Sequence, residues 1–280
     1  MTQQSIIDQI AQFLAEDVGS GDITAALVPA TTRAEAEVIT REAFVLCGQA
    51  CFDAVFRLLD RDVHINWLAD EGAEVAKDTV LCRLHGHARG LLTGERTALN
   101  ILQTLSATAT VTKRYADAVA GTHCKVLDTR KTIPGLRKLQ KYAVAAGGAG
   151  NHRTGLYDGV LIKENHIIAA GSIAAAVKAA RANSTSIPVE VEVETLQEFE
   201  QALAAKPDRI MLDNFSLEQL RTAVKLNQGA VELEASGNIE LATLKNVAAT
   251  GVDFISIGAL TKNIQAVDLS MRITLVHRHD

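Results

Sequence analysis

The chain has 280 residues, of which 48% are hydrophobic and 22% are charged, and its net charge of −5 argues against a general nucleic-acid-binding surface. No apolar run approaches the roughly 20 residues that a membrane span needs, so we expect no membrane partner. The N-terminal segment lacks a basic stretch followed by an apolar core, and the four cysteines form no CxxC pair, so we expect a cytoplasmic protein with buried thiols.

The first hundred residues predict a mixed region of helices and strands. An amphipathic helix comes first, and residues 34–41 then alternate between polar and apolar in the manner of a half-buried strand. A helix over 48–59 follows, and strands over 64–67 and 75–84 lie on either side of an Asp-Glu-Gly turn. A strong helix over 93–105 ends the region, and no low-complexity linker follows it.

From about residue 122 the pattern changes to a regular alternation of strand and helix. The predicted strands cover residues 125–128, 159–163, 189–194, 209–213, 231–235 and 254–257. Thr195 and Ser216 each open a capping-box sequence, which satisfies free backbone donors at a helix start. A repeat of roughly 20 to 30 residues requires parallel strands that are joined by crossover helices.

Two architectures fit this alternation, an open doubly wound sheet and a closed or nearly closed barrel. No GxGxxG sequence follows the first strand, so a Rossmann nucleotide site is unsupported. Polar residues instead recur where successive strands end, and in a barrel these ends converge on one mouth. They are Asp128, Lys163, Glu194, Asp213, Ser236 and Gly258. We therefore favour an α/β barrel, which is incomplete because only six or seven strands can be counted.

Residues 127–167 concentrate positive charge in an otherwise acidic chain. Four cations flank the predicted strands and should project into the mouth, and they are Arg130, Lys131, Arg153 and Lys163. Three lie on the intervening helix, where we expect a solvated face, and they are Arg137, Lys138 and Lys141. With His152, the first group suits a small polyanion, because Arg engages a carboxylate or phosphate with two hydrogen bonds. Separate surface ion pairs are the alternative interpretation.

The sequence VEVEVE over 189–194 predicts a strand with three carboxylates on one face. Strict alternation places Glu190, Glu192 and Glu194 together, facing the barrel interior or its mouth. Asp213 ends the next strand, and carboxylates on neighbouring strands can hold Mg²⁺ while the ion contacts substrate phosphates. An exposed charged strand is the alternative for VEVEVE alone.

Two turns of small residues follow the last two predicted strands. Ser236, Gly237 and Asn238 form one, and Gly258 with Ala259 forms the other. Backbone N–H groups at such strand-to-helix turns make an anion cradle, and glycine lets a phosphate approach closely. Neither turn is specific by itself, but two of them on consecutive strands point to a phosphate site.

In this order, the motifs DTRKTIPGLR, GNHRTGL, LIKENHI, VEVEVE, MLDNF, SGN and FISIGALTK resemble the quinolinate phosphoribosyltransferase family. GERTALNILQTLS over 94–106 and EDVGSGDIT near the N-terminus also match, so the resemblance covers about residues 16–272. It implies an N-terminal α/β sandwich domain over 1–107, with residues 266–280 packing back onto it. It also implies a catalytic incomplete α/β barrel over 108–265.

The resemblance further implies a pentosyltransferase, a glycosyltransferase of pyridine nucleotide and NAD biosynthesis. Its substrates would be quinolinate and phosphoribosyl pyrophosphate, its products nicotinate mononucleotide, pyrophosphate and CO₂, its cofactor Mg²⁺ and its assembly a homodimer with shared active sites. The residues implied around quinolinate are Arg130, Lys131, His152, Arg153 and Lys163, with Arg96 of the partner subunit. Those implied at ribose, Mg²⁺ and phosphate are Glu192, Asp213, Ser236, Gly237, Asn238, Gly258 and Ala259. Lys131, Lys163, Glu192 and Asp213 would be catalytic.

Two other functions stay open at this point. One is a related enzyme that uses nicotinate or another base, including the similar protein found with molybdate transport genes; the complete cation set favours a dicarboxylate over a monocarboxylate. The other is a catalytically silent anion-binding protein on the same fold. The presence of Glu192 and Asp213 beside the intact cation set argues against it.

Overall fold

The computed structural model describes residues 3–183 and 186–276, so the last four residues of the predicted C-terminal tail lie outside it. The chain divides into two compact units. One comprises the described residues of Met1–Val111 and Ile264–Asp280, and the other comprises those of Thr112–Asn263. Among the described helices, none combines the length and the apolar character that crossing a bilayer requires.

The first unit is built on a four-stranded antiparallel sheet. Its elements are α1 (Gln3–Val18), a 3₁₀ turn (Ala25–Leu27), β1 (Arg33–Thr40), β2 (Phe44–Val45), α2 (Gln49–Leu59), β3 (His64–Trp67), β4 (Glu74–Val75), β5 (Val80–His87), most of α3 (Ala88–Ala118) and the C-terminal strand, numbered β12 below (Leu269–Val276). The strand order is β12-β1-β5-β3. Because β1 pairs with β12 along its whole length, the prediction that the C-terminal tail completes this domain is confirmed.

The predicted strand over 75–84 is wrong in one respect, because it consists of two strands. Val75 belongs to β4 and pairs with Phe44, whereas β5 begins at Val80 and pairs with β1. Between them the chain turns at Asp78, whose φ of +61° is incompatible with a continuous strand. The apolar alternation on both sides of the turn hid the break.

The second unit is a six-stranded, wholly parallel sheet with helices between its strands. Its elements are β6 (Lys125–Leu127), α4 (Arg137–Ala146), β7 (Val160–Ile162), α5 (Glu164–Ala170), α6 (Ile173–Asn183), β8 (Val189–Val193), α7 (Leu196–Ala205), β9 (Arg209–Asp213), α8 (Leu217–Asn227), β10 (Glu232–Ser236), α9 (Leu241–Ala248), β11 (Phe254–Ser256) and α10 (Ala259–Lys262). The strand order is β6-β11-β10-β9-β8-β7. A barrel-like sheet that does not close confirms the predicted incomplete α/β barrel.

Helix starts in this unit follow the capping residues of the sequence. Ser216 accepts from the N–H of Gln219, and the Gln219 side chain returns to the N–H of Ser216, which completes the predicted capping box of α8. At α7, Thr195 accepts from the N–H of Glu198, but the Glu198 carboxylate reaches the N–H of Glu194 instead of the cap. Both caps stand directly after strands and so fix where the chain leaves the sheet.

Candidate active site

A cavity of about 180 Å³ lies within the second unit, where the parallel strands end. Seven of its lining residues were predicted from the sequence, and they are Arg130, Lys131, His152, Arg153, Lys163, Glu192 and Ser236. The others are Thr129, Leu161, Met211 and Ser256. Four cations therefore meet in one concave site, and the alternative of separate surface ion pairs does not describe them.

Two arginines in this cavity repel each other without a bound anion. Burial and the positive charge of Arg130 lower the pKa of Arg153 below its ordinary value. The buried Nε of Arg130 has no hydrogen-bond partner within residues 3–183 and 186–276. A buried donor of this kind is costly unless something accepts from it. A carboxylate or phosphate oxygen in the cavity would satisfy the donor and offset the repulsion.

Lys163 and Glu192 form an ion pair at the same cavity. Lys163 follows β7 as the cap of α5, and its ammonium group binds the carboxylate of Glu192 on the adjacent strand β8. The Lys163 side chain is 42% exposed, so it remains accessible to a ligand, while that of Glu192 is 11% exposed. The pair therefore places a cation and a carboxylate side by side in the cavity, where each can contact a ligand group of the opposite charge.

The three carboxylates of VEVEVE do not share one environment. Glu190 is buried, Glu192 is half-buried, and Val189, Val191 and Val193 are buried, which excludes an exposed charged strand. Glu194 is exposed, so its predicted place on the interior face is wrong. The physical reason is that β8 ends at Val193, where the chain turns toward the cap of α7.

His152 lies beneath the cations with both ring nitrogens engaged. Its Nε2 is 2.8 Å from Oε2 of Glu190, and its Nδ1 accepts from the N–H of Arg153 at 2.7 Å. Burial alone would lower the pKa of His152, but the hydrogen bond to Glu190 and the charge of Glu234 raise it. The Arg153 N–H uses the lone pair of Nδ1, which places the hydrogen that binds Glu190 on Nε2.

The turn after β10 packs against the turn after β9. The N–H of Asn214 donates to the carbonyl oxygen of Ser236 at 2.9 Å, and Asn214 also donates to Asp213 at 2.7 Å. Gly237 has a φ of +96°, and a Cβ there would stand 2.2 Å from Oδ1 and 2.7 Å from the backbone N of Asn214. Only glycine fits this position, so the contact sets the path of the predicted phosphate turn.

Gly237→Ala is expected to destabilise the protein by about 2 kcal/mol more than Gly229→Ala, because its methyl group would collide with backbone. Gly229 is a matched control, since it also has a positive φ (+77°) but nothing lies within 4 Å of an added Cβ. Chemical denaturation of both variants measures the difference. Equal losses of unfolding free energy in the two variants would show that Asn214 can move to accommodate the methyl group and that the turn does not depend on glycine.

A buried ion pair, which the sequence did not predict, holds the segment that carries His152 and Arg153. The ammonium group of Lys141 binds Asp128, and both side chains are buried. Asp128 also accepts from Asn151 at 2.7 Å and from the N–H of His152 at 2.9 Å. Lys141 donates further to the carbonyl oxygen of His152 at 2.9 Å. The prediction that Lys141 lies on a solvated helix face is therefore wrong.

Arg137 on the same helix also turns inward instead of toward solvent. Its guanidinium donates to the hydroxyl of Thr132 at 3.1 Å and to the carbonyl oxygen of Thr154 at 3.2 Å. It thus connects the loop after β6 with the loop before β7. The sequence placed Arg137 and Lys141 on a helix, but their charge and spacing do not reveal which helix face packs on the loops.

The remaining predicted residues flank the cavity or lie in the first unit. Asp213, Gly237, Asn238, Gly258 and Ala259 stand at the ends of β9, β10 and β11 but are not part of the lining. A Cβ at Gly258 would stand 2.9 Å from Cδ of Lys131, so this turn meets the loop after β6. Arg96 lies on α3, exposed, in the first unit. The substrate roles assigned to all of these residues stay predictions.

Comparison with known proteins finds relatives that match this sequence over nearly the whole chain. Residues 108–272 match the model of the quinolinate phosphoribosyl transferase C-terminal domain, and residues 22–106 match that of the N-terminal domain. A probable nicotinate-nucleotide pyrophosphorylase (carboxylating) of Bacillus subtilis is 43% identical over 264 residues, which is 94% of this chain and 91% of that protein. The nicotinate-nucleotide pyrophosphorylase (carboxylating) of Mycobacterium leprae is 42% identical, with 94% and 95% covered.

Solved structures agree in fold at the level of the complete chain. The nicotinate-nucleotide pyrophosphorylase of Francisella tularensis superposes with a TM-score of 0.95 at 47% identity, and 98% of each chain is covered. The NadC structure from Streptococcus pyogenes gives a TM-score of 0.95 at 40% identity, with 99% of each chain covered. Both units described above are therefore present in these relatives.

Proposed function

This chain belongs to the quinolinate phosphoribosyltransferase family, and we propose that it transfers phosphoribose from phosphoribosyl pyrophosphate to quinolinate. The products would be nicotinate mononucleotide, pyrophosphate and CO₂, and the step would belong to NAD biosynthesis. The observation that carries the proposal is the cavity in which Arg130, Lys131, Arg153 and Lys163 meet beside Glu192. A dicarboxylate of the size of a pyridine ring supplies the two negative groups that such a cation cluster lacks.

The arrangement of charges suits a displacement at the anomeric carbon. The ring nitrogen of quinolinate forms the new bond to that carbon as the bond to pyrophosphate breaks. Carboxylates such as Glu192 and Asp213 stabilise the positive charge that develops on the ribose, and the cations hold the anions that repel each other in water. Loss of CO₂ then leaves its electron pair on the carbon next to the quaternised nitrogen, where a proton from solvent completes the product.

Incubation with quinolinate and labelled phosphoribosyl pyrophosphate tests the proposal. We expect one mononucleotide and one CO₂ for each quinolinate consumed, and little product when nicotinate replaces quinolinate. A mononucleotide formed from nicotinate without CO₂ would favour the related base-using enzyme. No product from either base, under conditions where phosphoribosyl pyrophosphate is intact, would favour a silent anion-binding protein.

We propose Mg²⁺ as the cofactor of this reaction. The donors at the strand ends fit the ion, since carboxylates from Glu192 and Asp213 stand on adjacent strands with the hydroxyls of Ser236 and Ser256 nearby. Mg²⁺ prefers oxygen ligands and usually keeps waters and substrate phosphates beside one or two carboxylates. When bound, it would neutralise charge on the pyrophosphate, while Glu192 and Asp213 hold it near the ribose.

Removal of divalent cations with EDTA is expected to lower turnover by about 100-fold, because the leaving pyrophosphate loses its counter-charge. Added Mg²⁺ should restore it. Mn²⁺ followed by electron paramagnetic resonance gives a readout independent of turnover, since Asp213→Asn should weaken its binding in the presence of phosphoribosyl pyrophosphate. Full activity in EDTA, or unchanged Mn²⁺ binding by the variant, would count against this site.

We also propose a homodimer with shared active sites. Large apolar side chains are exposed on both units: Leu156, Tyr157 and Ile168 in the second, and Ile23 and Leu27 in the first. Exposed apolar residues that cluster along the chain are typical of contact surfaces. Three of them stand close in sequence to Arg153 and Lys163, so an interface there would lie at the rim of the cavity. Arg96 of the partner subunit would complete that cavity.

Mixing Arg96→Ala with Lys163→Ala subunits is expected to restore about a quarter of wild-type activity, because half of the dimers are mixed and each has one intact site. Mixed dimers are obtained by co-expressing the two variants, and each variant expressed alone serves as the control. No recovery in dimers shown to be mixed would contradict the sharing of sites between chains.

A cytoplasmic location completes the proposal. All four cysteines are free and buried, which is typical of proteins from a reducing compartment. Burial raises the pKa of Cys51 and of Cys124 to about 12, so these thiols are unreactive at neutral pH.

A further inference from the structure

A cluster of buried ionisable groups lies below the cavity, on the interior side of strands β8, β9 and β10. Glu234 is fully buried, and its Oε1 is 3.7 Å from Nε2 of His152. Its Oε2 accepts from Arg209 at 2.9 Å, and the guanidinium of Arg209 lies 3.9 Å above the ring of Phe254. Contacts therefore run without interruption from Arg209 through Glu234 to His152 and, on the other side of the ring, to Arg153.

Burying this cluster of ionisable groups inside the barrel costs folding free energy. Oε1 of Glu190 and Oε1 of Glu234 are buried and have no hydrogen-bond partner in the described part of the chain. Burial and the neighbouring charge of Glu190 raise the pKa of Glu234 above its usual range. Apolar side chains of similar volume would serve the fold as well or better. This cost points to a role for the two acids other than stabilising the sheet.

Besides the direct attraction between the charges of Glu190 and Arg153, Glu190 reaches the cavity through His152. Because Glu190 accepts from Nε2, the lone pair of the ring faces the opposite way and accepts from the N–H of Arg153. The Arg153 guanidinium in turn donates to the carbonyl oxygen of Gly159 at 3.0 Å. The ring thereby fixes the backbone of Arg153, and with it the direction in which this cation enters the cavity.

We propose that Glu190 and Glu234 are positioning residues for Arg153 and act through the ring of His152. On this view His152 contributes no hydrogen bond of its own to the substrate, because both of its nitrogens are occupied. This inference rests on the proposed function, since it assigns Arg153 a carboxylate of the pyridine dicarboxylate. It changes the role predicted for His152 from substrate contact to orientation of its neighbour.

A metal ion at these residues is the competing interpretation. One ligand atom each from His152, Glu190 and Glu234 lies within 4.8 Å of the others. Arg209 and the Nε2 hydrogen already supply positive partners there, which favours a metal-free cluster. Elemental analysis of the purified protein decides the matter: stoichiometric zinc or manganese that is lost in Glu190→Met would overturn the positioning role.

The test compares Glu190→Met, which removes the acceptor at similar volume, with Glu190→Gln, which keeps one. Titration calorimetry with quinolinate is expected to show binding about tenfold weaker for Glu190→Met, with the KM for phosphoribosyl pyrophosphate unchanged and Tm unchanged or raised. Glu190→Gln should bind nearly as the wild type does. Glu232→Gln is the matched control, because Glu232 also binds Arg209, at 3.0 Å, but is exposed and forms no ion pair with His152 in the described part of the chain.

Coupling to Arg153 separates this proposal from a general structural role. In an Arg153→Ala background, Glu190→Met should weaken quinolinate binding by less than about twofold, since there is no guanidinium left to aim. Additive losses, equal weakening of both substrates, or a Glu190→Met protein that fails to fold would each contradict the proposal. Glu234→Met provides a second variant with the same expected pattern. Wild-type protein that binds no quinolinate would instead refute the proposed function itself.

Discussion

Lys163→Met is expected to lower kcat/KM for quinolinate by about 100-fold while the fold stays intact. The substitution keeps most of the length of the side chain but removes the cation from the cavity and leaves Glu192 without its ion-pair partner. Both effects would act on the proposed reaction, because one weakens the binding of a negatively charged substrate and the other changes the charge at the proposed ribose site. The pair is partly exposed, so the cost in stability should stay below about 1 kcal/mol.

Steady-state kinetics and thermal unfolding of the same preparations measure this prediction. Lys178→Met is the matched control, since Lys178 is an exposed lysine on α6 in the same unit. Lys163→Arg should retain more activity than Lys163→Met because it keeps the charge. Normal kinetics for Lys163→Met would show that the cation is not used, and an unfolded variant would show that its role is structural.

Lys141→Met should lower the free energy of unfolding by about 3 kcal/mol, because it leaves the buried carboxylate of Asp128 without its cation. Arg181→Met breaks another ion pair of the same unit, 2.9 Å to Asp208, in which both side chains are exposed, so its cost should be below about 1 kcal/mol. The contrast isolates burial as the cause. Activity should fall with Lys141→Met as well, since the carbonyl oxygen of His152 loses a donor.

Circular dichroism in a urea titration is the appropriate measurement, because it follows the helices of the second unit, whereas the single tryptophan, Trp67, belongs to the first. Combining Lys141→Met with Asp128→Asn should recover part of the lost stability, since the unpaired charge is removed. Equal losses for the buried and exposed pairs, or no recovery in the double variant, would contradict the anchoring role of Asp128.

The sequence was sufficient to predict the strands of the barrel and the residues that stand at their ends. Parallel strands with buried faces and capping residues such as Ser216 carry local signals, and the strand ends must converge wherever the sheet curls. The sequence alone therefore places Arg130, Arg153 and Lys163 in one cavity. The end of β8 at Val193 could not be predicted from the sequence, because Glu194 continues the alternation of polar and apolar residues although the chain has left the sheet.

Side-chain orientations that depend on tertiary packing could not be predicted from the sequence. Lys141 belongs to a helix whose charged residues suggest a solvated face, and only the position of α4 over Asp128 reveals the buried ion pair. The His152 ring is hydrogen-bonded to Glu190 and lies 3.7 Å from Glu234, which are separated from it by 38 and 82 residues in the sequence. Such long-range polar contacts leave no periodic pattern, so the sequence identified His152 and Glu190 as site residues without their roles and did not identify Glu234 at all.

The most direct measurement is a crystal structure with quinolinate bound. A carboxylate oxygen within hydrogen-bond distance of Nε of Arg130, with a second carboxylate on Arg153 or Lys163 and the His152 ring still held by Glu190, is the predicted result. Quinolinate bound outside the residues that line this cavity, with Arg130 Nε still unpaired, would contradict the assignment of the site.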